Sequence, residues 1–288
     1  MEFIFGPMSG TEIALFLAAI LAAAAVAGFL AGLFGIGGGA VMVPVFSELF
    51  KAIGGADSPW QALAVSTSLA VIVVTGIQSA RTHYAVRDKE TGERVMHVET
   101  LKKYLIFVPL GVVVGLLILG NSGQGNLTLI FGFTALAIGI YTLAFREVPT
   151  VSASGPKTPV AQIGGFFIGA ISLLMGVGGG VLNNLFMTLL GSPLKRAIAT
   201  SAGVGVLIAV PGAIGAMIVG WGAEGLPPLS LGYVNLVVFA AAIPVTSWMA
   251  PIGARLTHSL PSNVVKTAFG IFLILTALRA IQKVLFPF

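Results

Sequence analysis

The chain has 288 residues, of which 57% are hydrophobic and only 9% are charged, and its net charge is +5. A soluble domain has roughly 25% charged residues, so this composition predicts a helical membrane protein with several spans. The chain has no cysteine, which excludes disulfides and thiolate chemistry, and the positive charge is typical of loops on one membrane face, not of a nucleic-acid surface.

Apolar segments follow one another along the whole chain, and a membrane span needs about 20 such residues. Two segments, 40–50 and 181–190, are too short to span, and we interpret them as half-helices or the returning arms of hairpins. The only long polar stretch lies at 81–103. The ten predicted segments are 13–34, 40–50, 62–80, 104–120, 127–145, 160–175, 181–190, 197–220, 231–254 and 264–285.

Two glycine clusters lie 141 positions apart, Gly35 to Gly39 and Gly176 to Gly180, and each falls between two apolar segments. Each glycine costs a helix about 1 kcal/mol relative to alanine, so three in a row indicate a helix break and not ordinary close packing. Non-helical backbone at membrane depth is tolerated where it is buried in protein or lines a cavity. Matching breaks in two halves of a chain are typical of a transporter's binding site.

The two halves repeat each other beyond the glycines. Ser66-Thr67-Ser68 is echoed by Ala199-Thr200-Ser201, and Pro109-Leu110-Gly111 by Pro251-Ile252-Gly253. Because these motifs occur in the same order in both halves, they indicate an internal duplication. We therefore predict one membrane domain with a first repeat at 1–150, a second repeat at 160–288 and a Pro- and Ser-rich linker at 148–159.

Positive charge favours an inverted arrangement of these repeats. If each glycine hairpin enters and leaves on one face, each half crosses the membrane three times and the halves are inverted. Of the 15 basic residues, only Lys51, Arg279 and Lys283 then lie on the outer face, whereas eight full crossings would separate the charges less cleanly. The basic residues predicted for the cytoplasmic face are Arg81, Arg87, Lys89, Arg94, Lys102, Lys103, Arg146, Lys157, Lys195, Arg196, Arg255 and Lys266.

The predicted fold is therefore an all-α polytopic membrane protein of two inverted repeats. Each repeat has a broken or re-entrant glycine-rich hairpin and about three transmembrane helices. We expect the chain in the cell inner membrane or plasma membrane, in contact with the lipid bilayer.

The glycine motif also carries a family resemblance. The run from Gly28 to Gly39, the following Val43-Pro44 and the run from Ala64 to Ser68 resemble the TauE/SafE sulfite exporter family, and Gly176 to Gly180 with Ala197 to Ser201 resembles its second repeat. The resemblance covers essentially the whole chain. It implies a transporter of small anions, often sulfur-containing, such as sulfite, thiosulfate and short sulfonates like sulfoacetate.

The residues themselves also favour an anion. A helix that begins at a glycine cluster offers backbone N–H groups with no helical partner, and its dipole is positive there. Hydroxyl and amide side chains nearby would add neutral donors, although Ser and Thr in membrane helices often bond the carbonyl four residues earlier. The candidate substrate-binding residues are Gly37, Gly38, Gly39, Thr67, Ser68, Gly178, Gly179, Gly180, Asn183, Asn184, Thr200 and Ser201.

Other functions remain open at this stage. An intramembrane enzyme is disfavoured because no catalytic residue with a visible base stands out, and His83, His97 and His258 are too scattered to predict a metal site. No cofactor is implied. A membrane scaffold or assembly subunit, or a transporter of a non-sulfur anion, is the alternative to a sulfur-anion transporter. The sequence leaves the oligomeric state open, a homodimer included.

Overall fold

The structure, a computed structural model, describes residues 10–34, 39–55, 57–87, 92–144, 157–259 and 261–286. Within these residues the chain forms ten α-helices and one short antiparallel pair of strands. The first half contains α1 (Gly10–Phe34), α2 (Gly39–Gly54), α3 (Trp60–Ala85), α4 (Val98–Asn121) and α5 (Gln124–Ala144). The second half contains α6 (Thr158–Leu174), α7 (Gly180–Leu189), α8 (Leu194–Val219), β1 (Ser230–Leu231), β2 (Val234–Asn235), α9 (Leu236–Ser259) and α10 (Ser262–Leu285).

The predicted all-α polytopic fold class is confirmed, because each predicted apolar segment corresponds to one helix. Among the described residues, six helices are long and apolar enough to cross a membrane: α3, α4 and α5 in the first half and α8, α9 and α10 in the second. The two segments predicted to be too short form α2 and α7, of 16 and 10 residues. The boundaries of the two repeats stay a prediction, and so does their inversion.

The helices pair across the halves in a regular pattern. The first helix of each half packs on the fourth helix of the other, so α1 pairs with α9 and α6 pairs with α4. The third helices, α3 and α8, pack on each other, as do the fifth helices, α5 and α10. Helices in corresponding places therefore have corresponding neighbours, which is the pairing expected of a duplicated chain.

Glycines allow these paired helices to approach closely. A Cβ placed on Gly28 of α1 would lie 2.6 Å from the Cα of Thr246 in α9. In the corresponding pair, a Cβ on Gly169 of α6 would overlap the carbonyl oxygen of Val108 in α4. Inside lipid the hydrophobic effect does not hold helices together. Small residues at such crossings stabilise the pair instead, because they allow close van der Waals packing.

Helix α3 lies at the centre of the bundle, since every residue from 60 to 72 is buried. Two hydrogen bonds relate its direction to that of α8. The Thr67 hydroxyl, near the start of α3, accepts the backbone N–H of Asn235, which follows α8 (3.1 Å). The Thr200 hydroxyl, near the start of α8, accepts the backbone N–H of His97, which follows α3 (3.0 Å). Direct contacts give the same order, since Gly212 lies against Leu69 and Gly76 lies against Val206, so α3 and α8 run antiparallel.

Candidate functional site

The second glycine cluster forms a sharp break between α6 and α7. Gly176 and Gly179 have φ of 62° and 70°, a backbone conformation that costs other L-residues roughly 1–2 kcal/mol. Gly179 caps α7 without any side-chain hydrogen bond. The first bond to that cap runs from Asn183 N–H to Gly179 O (2.9 Å), so the N–H groups of the three preceding residues, 180–182, have no hydrogen-bond partner among the described residues.

The start of α2 meets the second glycine break inside the protein. Gly39, the first residue of α2, lies so close to the second break that a Cβ placed on it would overlap the Gly176 carbonyl oxygen. The Ser68 hydroxyl of α3 donates to that same carbonyl (3.0 Å). Gly39 and Ser68 therefore lie together with the second break. The candidate residues Gly37 and Gly38 lie outside the described residues.

A cavity of about 460 Å³ opens beside the start of α7, where Gly180 carries one of the three free N–H groups. Three of the candidate residues, Gly178, Gly180 and Ser201, line it, and the rest of its wall comes from α1, α2, α3, α8 and α9. We call it the central cavity. The described lining residues include no Asp, Glu, Lys or Arg. Its polar side chains are those of Thr75, Gln78, Ser79, Thr82, His83, Ser201, Thr246 and Ser247.

An amide and hydroxyl chain connects α7 to α8 at this cavity. Asn183, fully buried, donates to the Ser201 hydroxyl (2.7 Å), which in turn donates to the Asn184 side-chain oxygen (2.6 Å). The buried Asn183 Oδ1 has no hydrogen-bond partner among the described residues. The structure therefore brings the two asparagines together with Ser201 and fixes the first turn of α7 against α8, while their contact with substrate stays a prediction.

Thr67 and Thr200 lie outside the central cavity. Neither lines the central cavity, and each hydroxyl instead accepts the backbone N–H described above. Thr200 also donates to the carbonyl of Arg196 four residues earlier (2.7 Å). The structure thus gives both threonines a role in tethering the two halves, and the prediction that they contact substrate stays a prediction.

His97 lies at the same tether. Its ring Nδ1 is 2.7 Å from the Thr100 hydroxyl. Burial lowers the pKa of His97, and the positive charges of Arg196 and Lys103 lower it further. Arg196 also lies 3.7 Å from Glu93, so the start of α8 and the segment before α4 share one end of the molecule.

The sequence analysis did not predict four polar residues of α3 that line the central cavity. Thr75, Ser79, Thr82 and His83 all lie in the C-terminal half of α3 and line the cavity. Their spacing of four, seven and eight residues places them on one helix face, a signal that the sequence carries. His83 is therefore part of the cavity wall and not only an interfacial residue. No group of three metal-ligating side chains occurs in the part of the chain that the structure describes.

These features define a multi-pass helical membrane protein whose polar cavity reaches a broken helix at the centre of the bundle. The sequence model of the sulfite exporter TauE/SafE family matches residues 20–280. The chain belongs to this family of membrane transporters, and the resemblance carried by the glycine motifs is confirmed.

Relatives span nearly the whole chain. A probable membrane transporter protein of Haemophilus influenzae is 33% identical over 272 residues, which cover 93% of this chain and 99% of the relative. Probable membrane transporter proteins of Methanocaldococcus jannaschii (26% identical, covering 86% and 89%) and Bacillus subtilis (24%, covering 91% and 96%) are also similar. The family and these names are those of membrane transporters and not of enzymes.

Proposed function

We propose that the protein is a secondary transporter of small sulfur-containing anions such as sulfite, thiosulfate or short organosulfonates like sulfoacetate. Substrate binds in the central cavity, between the two glycine breaks. The observation that carries this proposal is the N-terminus of α7, which has no side-chain cap and whose first residue, Gly180, has a free N–H group and lines the cavity. Such a helix end attracts anions through its unpaired donors and its dipole.

The chemistry of the cavity suits an anion held by neutral donors. Among the described residues its lining has no carboxylate to repel a negative charge, and Ser201, which is hydrogen-bonded to Asn183 and Asn184, lines it together with Gly180. Three sulfonate oxygens can each accept hydrogen bonds from hydroxyl and N–H donors. The described lining consists of neutral groups, and neutral donors bind an anion weakly enough to allow release, which transport requires. The volume of about 460 Å³ leaves room for a small sulfonate and several waters.

The course of two central helices and the membrane potential both support a route across the membrane between inverted repeats. The antiparallel course of α3 and α8, fixed through Thr67 and Thr200, is what inversion of repeats 1–150 and 160–288 requires. We propose that Gly37, Gly38 and Gly39 of the first repeat also contact the substrate. A negative-inside potential favours export of an anion by about 2.3 kcal/mol per charge per 100 mV.

Flux in proteoliposomes tests this function. Vesicles containing the purified protein should release labelled sulfite, thiosulfate or sulfoacetate in a saturable way, faster under an imposed potential of the correct sign. Acetate and phosphate serve as comparison anions. Absence of saturable flux of every sulfur anion, with intact reconstituted protein, would favour a scaffold; equal flux of acetate or phosphate would favour a non-sulfur substrate.

A pair of variants connects flux to the cavity. A side chain at Gly178 would enter the cavity wall, because a Cβ there meets Ile72 at 2.8 Å and Gly205 at 3.6 Å. Gly178→Leu should therefore reduce flux at least about tenfold by occupying substrate space. Gly123→Leu is the matched control, since a Cβ at Gly123 has no atom within 4 Å. Equal flux in the two variants would place the substrate elsewhere.

A further inference from the structure

A second cavity lies at the opposite end of α3. It measures about 290 Å³ and is enclosed by α2, α3, α5 and α10. Trp60 and Gln61, at the start of α3, line it, whereas Thr82 and His83, near the end of α3, line the central cavity. Residues 60 and 82 are about 33 Å apart along a helix, close to the thickness of the hydrocarbon core. The two cavities therefore lie toward opposite membrane faces.

This second cavity, which we call the Glu48 pocket, has one carboxylate among several cations. Glu48 Oε2 lies 3.2 Å from the Lys283 ammonium, and Glu48 Oε1 lies 3.7 Å from Arg279 Nε. The ammonium groups of Lys283 and Lys51 lie 4.5 and 5.6 Å from the Trp60 ring centroid. Two lining cations, Arg279 and Lys283, with Lys51 nearby at Trp60, outnumber the one carboxylate and give the pocket a net positive charge.

The donors of Lys283 are mostly unused. Its ammonium nitrogen is shielded from solvent, and Glu48 is its only oxygen partner among the described residues. At most one of its three N–H donors is occupied by that contact. A largely buried ammonium with free donors is costly unless an anion satisfies it.

The identity of these cations is itself informative. Lys51, Arg279 and Lys283 are the three basic residues that the charge pattern assigns to the outer face. Outer segments of membrane proteins are depleted in Lys and Arg, so a chance cluster is not expected there. All three nevertheless converge on Glu48 or Trp60, and Arg279 and Lys283 line the pocket itself.

Only the first turns of α2 separate the Glu48 pocket from the central cavity. Val41 and Val43 line the Glu48 pocket, while Met42, between them, lines the central cavity. Val43 also contacts the second glycine break, since a Cβ placed on Gly176 would lie 2.5 Å from its Cγ2. A small displacement of this part of α2 would connect the two cavities.

We propose that the Glu48 pocket is a second anion-binding site, at the outer end of the route, in which the Glu48 carboxylate occupies the place of a transported anion. An arriving sulfonate or similar oxyanion takes the donors of Lys283 and Arg279 and displaces Glu48. That the pocket lies on the transport route rests on the proposed function. That it binds anions rests on its own charges and donors.

Tryptophan quenching tests the site without transport. The chain has three tryptophans, and Trp221 and Trp248 are exposed, so a W221F/W248F background leaves Trp60 as the only reporter. Iodide, an anionic quencher, should quench Trp60 more strongly than neutral acrylamide does at constant ionic strength, because the pocket concentrates anions. Sulfoacetate should protect Trp60 from iodide in a saturable way and leave acrylamide quenching unchanged.

Three variants assign the effect to named groups. Lys283→Met keeps the apolar stem and removes the charge, so iodide quenching should fall by at least about threefold. Lys283→Arg should retain quenching, and Glu48→Gln should increase it because the internal competitor is lost. Lys102→Met is the matched control, since Lys102 is an exposed lysine paired with Glu99 at 2.8 Å on the opposite face.

The proposal is overturned if iodide quenches Trp60 no better than acrylamide, or if Lys283→Met and Lys102→Met behave alike. It is also overturned if Glu48→Gln lowers iodide quenching. A protein that passes this test but shows no flux would retain the anion site and lose the proposed function. A protein that transports but fails this test would retain the function and lose the second site.

Discussion

Replacing Gly39 by alanine should separate the start of α2 from the second glycine break. The added Cβ would overlap the Gly176 carbonyl oxygen and lie 2.8 Å from Val177 Cα. Both contacts are with backbone, which cannot rotate away as a side chain does. Overpacking of this kind costs about 1–3 kcal/mol, and the gain in helix propensity offsets at most about 1 kcal/mol. We expect a net loss of about 1–2 kcal/mol, or a fall in Tm of about 2–8 °C.

The same change should affect transport more than stability. Displacing the second break moves the free N–H groups of α7 away from the substrate oxygens. A lost hydrogen bond to a charged ligand is worth about 1.5–3 kcal/mol, so the apparent affinity should fall about 10- to 150-fold.

Thermal unfolding in detergent and sulfoacetate flux in proteoliposomes measure the two effects of Gly39→Ala. Gly125→Ala is the matched control, because it also lies at the start of a helix and its Cβ would meet only Val284 at 3.5 Å. The reasoning is refuted if Gly39→Ala matches Gly125→Ala in both Tm and flux.

Three further predictions concern the tether, its pH dependence and the topology. Thr200→Val should lower the stability by about 1–3 kcal/mol, because it leaves the partly buried N–H of His97 without its acceptor, whereas Thr82→Val at an exposed hydroxyl should not. A loss of sulfonate affinity with unchanged Tm would instead indicate that Thr200 contacts substrate. Burial and nearby positive charge hold the pKa of His97 below its usual value, so the unfolded chain binds the proton more readily than the folded chain. Tm should therefore fall as pH drops below about 6.5. A His97→Gln variant with the same dependence of Tm on pH would contradict this. Cysteines at Gly92 and Ser192 should label from one face, the cytoplasmic one, and labelling from opposite faces would exclude the inverted arrangement.

Much of the fold follows from local properties of the sequence. Long apolar runs predict membrane helices because lipid leaves the backbone no other partners. The two shortest runs become α2 and α7, each beginning within one residue of the predicted segment and at the last glycine of its cluster. The structure also brings Ser201 together with Asn183 and Asn184, since α7 and α8 are joined by a short loop, while their contact with substrate stays a prediction.

What the sequence did not reveal depends on packing between the halves. The pairing of α1 with α9 and of α4 with α6 arises from complementary small-residue surfaces that no single segment displays. Thr67 and Thr200 match in sequence, and that match reflects a shared structural bond to the other half, which a repeat pattern alone cannot distinguish from a shared ligand. The spacing of Thr75, Ser79, Thr82 and His83 in the sequence indicates a polar face on α3. In a chain this apolar, the sequence does not indicate whether such a face lines a cavity.

The central claim is that a substrate anion binds in the central cavity at the start of α7, and the position of a bound anion tests it most directly. Selenite is a heavier analogue of sulfite, and selenium in crystals soaked with it can be located by anomalous scattering. We predict a peak in the central cavity, within hydrogen-bonding distance of the Gly180 backbone N–H and beside Ser201. Selenium bound at the protein surface, with none in the central cavity at concentrations that saturate transport, would contradict the account.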